Sequence, residues 1–182
     1  MEITKLNTLE VNTIQTVKIE LICNITKLNE NGEEITEQLD LSEVLKDGRP
    51  ASYICEYISA KLLPLNKTMN TCEKDYDFLD ENSLKYEMKS KTSYGISFTP
   101  SYMKGKNRIY CEDTYKKVLI NNDRYIINDI SVPGYLSFIT LNSDFLLKSR
   151  EKVIKGYSKT KKIEDIINEA KKYEESKSQR GW

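Results

Sequence analysis

Apolar side chains at Val11, Ile14, Val17, Leu21, Ile25 and Leu28 recur at steps of three and four, and Ile22 widens the stripe. That period predicts an N-terminal amphipathic helix, stopped by Asn31-Gly32. Alternation from Val17 to Leu21 also suits a strand, so two readings stand for this segment. Ser42 to Lys46 reads as a further short turn of helix. Asp47-Gly48-Arg49-Pro50 breaks the chain and sets Pro50 in the first turn of a new helix. In that helix Tyr53, Ile54, Tyr57, Ile58, Lys61 and Leu62 repeat until Pro64.

The texture then changes. Asp77-Phe78-Leu79-Asp80 reads as a strand or its end, Glu81-Asn82-Ser83 as a turn, and Leu84 to Lys91 as a strand with alternating faces. Thr92 to Arg108 is polar and rich in Ser, Thr, Gly and Tyr, the composition of a long loop. Val118–Ile120 and Arg124–Ile130 flank Asn121-Asn122-Asp123, which predicts a hairpin. A strand follows Pro133-Gly134 over residues 135–141. Ser143 then caps a helix reaching about Lys155, and Ile163, Ile166, Ile167, Ala170 and Tyr173 stripe a last helix. The order predicts one α/β domain over residues 1–182, a central mixed β-sheet flanked by helices. Residues 1–64 form its helical front, 65–142 its sheet and 143–182 its C-terminal helices.

Composition narrows the chemistry. The chain has 182 residues and no histidine. That count excludes Ser-His-Asp and Cys-His catalysis and every histidine-ligated zinc site. What remains is carboxylate, lysine, tyrosine, serine, cysteine or hard-metal chemistry. Cys23, Cys55, Cys72 and Cys111 are widely spaced, the pattern of free and mostly buried thiols rather than a zinc site. No apolar run approaches the ~18 residues of a membrane span, and the first residues lack the order of a signal peptide. The expectation is a cytoplasmic protein with no membrane partner.

A formal net charge of zero hides an asymmetry: residues 1–60 carry −6 and residues 101–182 carry +6. From 148 to 162, Lys148, Arg150, Lys152, Lys155, Lys159, Lys161 and Lys162 face only Glu151. Such a cluster suits nucleic-acid phosphates and equally suits a solvated helix face.

The candidate chemistry lies in the run from Asp77 to Ser90. In a strand, residues i and i+2 share a face, so Glu87 and Lys89 project together. The turn after Asp80 brings Asp77 back beside Glu87 on a neighbouring strand. Two carboxylates on one side suit Mg²⁺, a hard cation that takes oxygen ligands, and an adjacent ammonium can orient the attacking water. This set hydrolyses a phosphodiester without histidine. The pattern acid-x-Lys occurs three times in the chain, at Glu87, Glu169 and Glu175, and only the first falls in a predicted strand. Taken alone it fits a charge ladder on an edge strand as well as a metal site.

The same run resembles the catalytic segment of the PvuII-type restriction endonucleases, in the PD-(D/E)xK nuclease superfamily. The shared features are the interval of ten residues from Asp77 to Glu87, the second acid Asp80, and the run Tyr86-Glu87-Met88-Lys89-Ser90. The resemblance covers about fourteen residues. It implies a restriction-endonuclease-like fold and a Mg²⁺-dependent type II endonuclease. Such an enzyme cuts double-stranded DNA at a short palindromic site, leaves 5′-phosphate ends and acts as a homodimer. It further implies that Asp77, Glu87 and the Met88 carbonyl hold the metal and that Lys89 assists the water. Asp75 or Asp80 can stand in for Asp77, and Glu73 is a possible supporting acid. Proteins of that type carry histidines in the segment after the lysine strand. Here the segment from Ser93 to Tyr102 carries hydroxyls instead.

DNA reading is therefore assigned to Ser97, Thr99, Ser101 and Tyr102 for bases, with Lys104, Lys106 and Arg108 for phosphates or guanine. Asn121, Asn122 and Asn128 have the chemistry to pair with adenine, though the first two equally suit a turn. A palindromic target matches a twofold dimer, for which the N-terminal stripe is a candidate interface. The alternatives are another nuclease of the superfamily, in repair, transposition or phage DNA processing, and a non-catalytic DNA-binding module.

Overall fold

A computed structural model describes residues 10–41, 44, 48–67, 76–92, 95–100, 103, 109, 111–132, 134–148 and 163–179. It is a mixed α/β structure. The elements are β1 (Ile14–Lys18), β2 (Ile22–Leu28), β3 (Glu34–Asp40), α1 (Gly48–Leu62), β4 (Asn66–Lys67), β5 (Phe78–Leu79), β6 (Lys85–Lys91), α2 (Glu112–Asn121), β7 (Arg124–Asp129), β8 (Tyr135–Asn142), α3 (Ser143–Lys148) and α4 (Ile163–Ser178).

Six strands form one sheet in the order β1-β8-β7-β6-β5-β4. Its one parallel pair is β6 with β7, in register Glu87↔Tyr125 and Lys89↔Ile127. A parallel pair needs a crossover, and the segment carrying α2 supplies it. Alternation along the strands sorts the core into two halves. Tyr86, Met88, Ile126 and Phe138 meet Ala51, Cys55 and Leu63 at α1. Tyr125, Ile127, Ile139 and Leu141 meet Leu119 of α2, Phe145 of α3 and Ile166, Ile167 and Ala170 of α4. Burying both faces explains the apolar runs of β7 and β8. No described helix is long and apolar enough to cross a membrane.

The N-terminal helix is not formed. Residues 14–18, 22–28 and 34–40 are strands, β1 paired antiparallel with β8 and β2 with β3. The apolar steps of three and four fall in two different strands separated by a break at 19–21. The segment is dense in β-branched Ile14, Thr16, Val17, Ile22, Ile25 and Thr26, which suit a pleated surface. Asn31-Gly32 belongs to the β2–β3 turn, with Gly32 at φ 81°. Of the short turn expected over Ser42 to Lys46, Val44 alone is among the described residues.

The hairpin expected around Asn121-Asn122-Asp123 is also absent. Val118, Leu119 and Ile120 close α2, and only Arg124–Asp129 is a strand. Tyr115, Val118 and Leu119 bury one helical face, and Glu112 and Asp113 sit in the first turn where the helix dipole favours acids. The strand at 135–141, the helix after Pro50 and the stripe of the last helix take the predicted forms. α3 is described to Lys148, and the cluster from Arg150 to Lys162 lies outside the described residues.

Candidate active site

The site is built on the end of β5 and the middle of β6. β5 and β6 are antiparallel, Phe78 opposite Tyr86, joined by the turn at residues 80–84. Asp80 fastens that turn: its Oδ1 accepts the N–H groups of Asn82 and Leu84, both at 2.9 Å, and Ser83 takes φ 64°. Its Oδ2 accepts the Tyr86 hydroxyl at 3.3 Å. Asp80 is therefore a turn residue, and it does not stand in for Asp77. Asp75 and Glu73 lie outside the described residues. Asp80→Ala should lower stability by ~1–3 kcal/mol, since two N–H groups lose their acceptor. The same variant should leave divalent-metal binding unchanged; urea melts and calorimetric titration read the two effects separately.

Asp77 stands one residue before β5. Its N–H donates to the Tyr86 carbonyl at 2.9 Å, and its carboxylate Oδ2 accepts the Met88 N–H at 2.7 Å. Both bonds fix the carboxylate against β6 at the residue between Glu87 and Lys89. On β6 the side chains of Tyr86 and Met88 are buried toward α1, so Glu87 and Lys89 turn to the other face. There Lys89 Nζ donates to Glu87 Oε1. The pair is half-buried, with side chains 17% and 16% exposed. The Met88 side chain is core, its Sδ accepting from buried Ser59 Oγ at 3.5 Å and from the buried Asn128 amide at 2.7 Å.

Burial pushes the Glu87 carboxyl up to about 7, against the opposing pull of Lys89. The negative charge of Asp77 pushes the same way, and so does that of Glu56. Three acids thus share one electrostatic field with a single ammonium beside them. Sequence reasoning missed Glu56. The signal was there: it is the one carboxylate in α1, next to Cys55, which faces the sheet.

Among the described residues, no group of three or more Cys, Asp or Glu side chains closes around a metal ion. The donors on offer are the carboxylates of Asp77 and Glu87 and the Met88 main chain. They fit a hard divalent ion: Glu87 is burdened first by burial and then by the charge of Asp77, and a cation held by both carboxylates would offset each.

Of the assigned base readers, two are among the described residues. Ser97 is exposed and Thr99 half-buried, while Ser101, Tyr102, Lys104, Lys106 and Arg108 lie outside the described residues. Asn128 is corrected: it is fully buried under α1, its amide donating to Ser59 Oγ at 3.2 Å, and it reads no base. Asn122 is likewise buried, its side chain donating to the Val118 carbonyl at the end of α2. Cys55 is buried and its thiol is pushed up to about 12 by that burial. Cys23 is half-buried and Cys111 exposed, so the described thiols are free but not uniformly buried.

One step along the same face as Lys89, Lys91 is buried and paired with Asp129 at 2.9 Å, and it also donates to Ser131 Oγ at 3.2 Å. Asp129 is thereby the partner that allows a charged lysine in the sheet. No family model, curated protein or solved structure matches the chain.

Proposed function

We propose that the protein is a Mg²⁺-dependent endonuclease with a restriction-endonuclease-like fold, acting as a homodimer on a short palindromic site in double-stranded DNA. One observation carries the reading: the Asp77 carboxylate is held at the Met88 N–H, between Glu87 and Lys89, whose side chains share one half-buried face. The charge ladder on an edge strand predicts otherwise. β6 is an interior strand, and its acid is burdened by burial and by a second acid. A perturbed carboxylate beside a specific partner supports a working site over a solvated charge ladder.

Asp77 and Glu87 supply the anionic oxygens, and the Met88 carbonyl, on the same strand edge as its N–H, supplies a neutral one. A Mg²⁺ ion held by these groups would supply Lewis-acid chemistry at a phosphate oxygen and at a water. Lys89 would offer an ammonium beside the same carboxylates, to orient a water and offset negative charge at the phosphate. Glu87 orients Lys89 through their ion pair. Glu56 adds negative potential, which favours the cation.

Digestion of a long DNA of known sequence tests the reading. We expect discrete fragments with 5′-phosphate and 3′-hydroxyl ends in Mg²⁺ and intact DNA in EDTA. A smear in Mg²⁺ assigns the protein to a non-specific nuclease of repair or DNA processing. Intact DNA in Mg²⁺, from protein that still binds it, assigns a non-catalytic module.

A further inference from the structure

We infer that β2 is a dimerisation strand, pairing antiparallel across a twofold axis with β2 of a second copy of this chain. The inference rests on the homodimer reading above and not on the catalytic one.

β2 and β3 form a two-stranded sheet of their own, separate from the main sheet. Every residue of β3, and every residue of β2 except half-buried Cys23, is exposed. Ile22, Ile25, Leu28, Ile35 and Leu39 are 40–68% exposed. A lone hairpin of this kind is marginal in water and needs a third strand or a packed face. DNA is a poor occupant, because Glu30, Glu33, Glu34, Glu37 and Asp40 outweigh Lys27.

The backbone says which edge is offered. Asn29 N–H donates to the Glu33 carbonyl and Leu41 N–H to the Leu21 carbonyl, so odd-numbered residues of β2 face β3. The N–H and C=O groups of Ile22, Asn24, Thr26 and Leu28 therefore point to the outer edge, where no described strand meets them. A twofold axis through Ile25 sets Ile22 against Leu28 and Asn24 against Thr26 of the second copy. Every outward group is then satisfied, and on the even-numbered face apolar Ile22 meets Leu28 while polar Asn24 meets Thr26. Ile25 meets its own copy at the axis, in a non-hydrogen-bonded pair about 4.5 Å apart at Cα. Lys27, the one charged residue in β2, falls opposite Cys23 rather than another lysine.

The other edge is less favourable in the corresponding register, centred on its middle residue. A twofold axis through Glu37 opposes the two Glu37 carboxylates and sets Glu34 against Asp40. Like charges directly across a strand pair are repelled. The sequence thus protects β3 as an edge and leaves β2 open, which is how a sheet selects its partner. The geometry is isologous, as a twofold dimer requires.

The test is the mass of the full chain in solution, with no DNA present. Sedimentation equilibrium should give twice 21.2 kDa for the wild type. Ile25→Lys sets two ammonium groups against each other at the axis and should raise the dimer dissociation constant at least ~100-fold, with the circular dichroism unchanged. Ile25→Cys in a Cys23→Ser background should form an interchain disulfide under mild oxidation, because the non-hydrogen-bonded pair meets disulfide geometry. A monomeric wild type, a dimeric Ile25→Lys variant or an uncrosslinked but dimeric cysteine variant each overturns the inference. None of these readouts involves cleavage, so failure here leaves the catalytic reading to its own test.

Discussion

Lys89→Ala should lower DNA cleavage in Mg²⁺ by ~10²–10⁴-fold, the range for removing a positioned proton-handling or charge-stabilising group. DNA binding in Ca²⁺ should survive, since the metal donors Asp77, Glu87 and the Met88 main chain remain. The ion pair gives the experiment a second readout. Lys89 is the influence that holds the Glu87 carboxyl down against burial. Without it Glu87 takes up a proton more readily, so Ca²⁺-dependent binding should require a higher pH in the variant than in the wild type. Comparing the two at pH 8 separates lost chemistry from lost metal. A merely structural lysine predicts a different pair of results: cleavage within a few-fold of wild type, or a lowered melting temperature with cleavage restored on cooling.

Asp77→Ala and Glu87→Ala should abolish cleavage to a similar floor. Combining either with Lys89→Ala should cost little more, because groups acting on one phosphate are not additive. A multiplicative double mutant would place Lys89 in a separate role. The Asp77 variant also leaves the Met88 N–H without its acceptor. Its stability should fall at every pH, whereas the Lys89 variant's should fall only where Glu87 is ionised, since Lys89 pairs with that carboxylate.

The geometry of the candidate site was legible because its information is local. Strand alternation places Glu87 and Lys89 on one face, and a turn fixed by Asp80 returns Asp77 to the strand's flank. Those relations span a dozen residues and need no tertiary knowledge. The N-terminal segment was misread for the converse reason. Its apolar spacing fits a helix or two broken strands, and the choice is made by β8, more than a hundred residues away, which offers Ile14 and Val17 a pairing edge. The hairpin at Asn121 failed similarly. Val118-Leu119-Ile120 is β-branched enough for a strand, yet Tyr115 and Leu119 meet a core supplied by β7, β8 and α4. Asn128 shows the limit of chemistry read without burial: its amide has the right donors for adenine, but the adjacent buried Ser59 claims them. Glu56 carries only a weak mark, its place beside sheet-facing Cys55, because sequence spacing does not relate α1 to β6.

Glu87→Gln should abolish metal-dependent cleavage and, at the same time, stabilise the metal-free protein above neutral pH. The Glu87 carboxyl is raised from 4.5 to about 7 in the folded chain. The folded state therefore holds a proton that the unfolded state releases. Its stabilising contribution is complete below ~4.5 and is lost as pH rises through about 7. Glutamine carries no such charge. In metal-free buffer the variant's melting temperature should match the wild type's near pH 4, below both pKa values, and exceed it by several degrees at pH 8, at the ~2–4 °C per kcal/mol of a domain this size. Adding Mg²⁺ or Ca²⁺ at pH 8 should raise the wild-type melting temperature and leave the variant's nearly unmoved, because only the wild type holds the paired carboxylates that bind the ion. The wild-type gain should itself shrink toward pH 6, where protons compete for Glu87. If the variant melts lower than the wild type at every pH, Glu87 is a structural partner of Lys89. If the two respond alike to metal, the ion sits elsewhere and the assignment of Glu87 as a ligand is wrong.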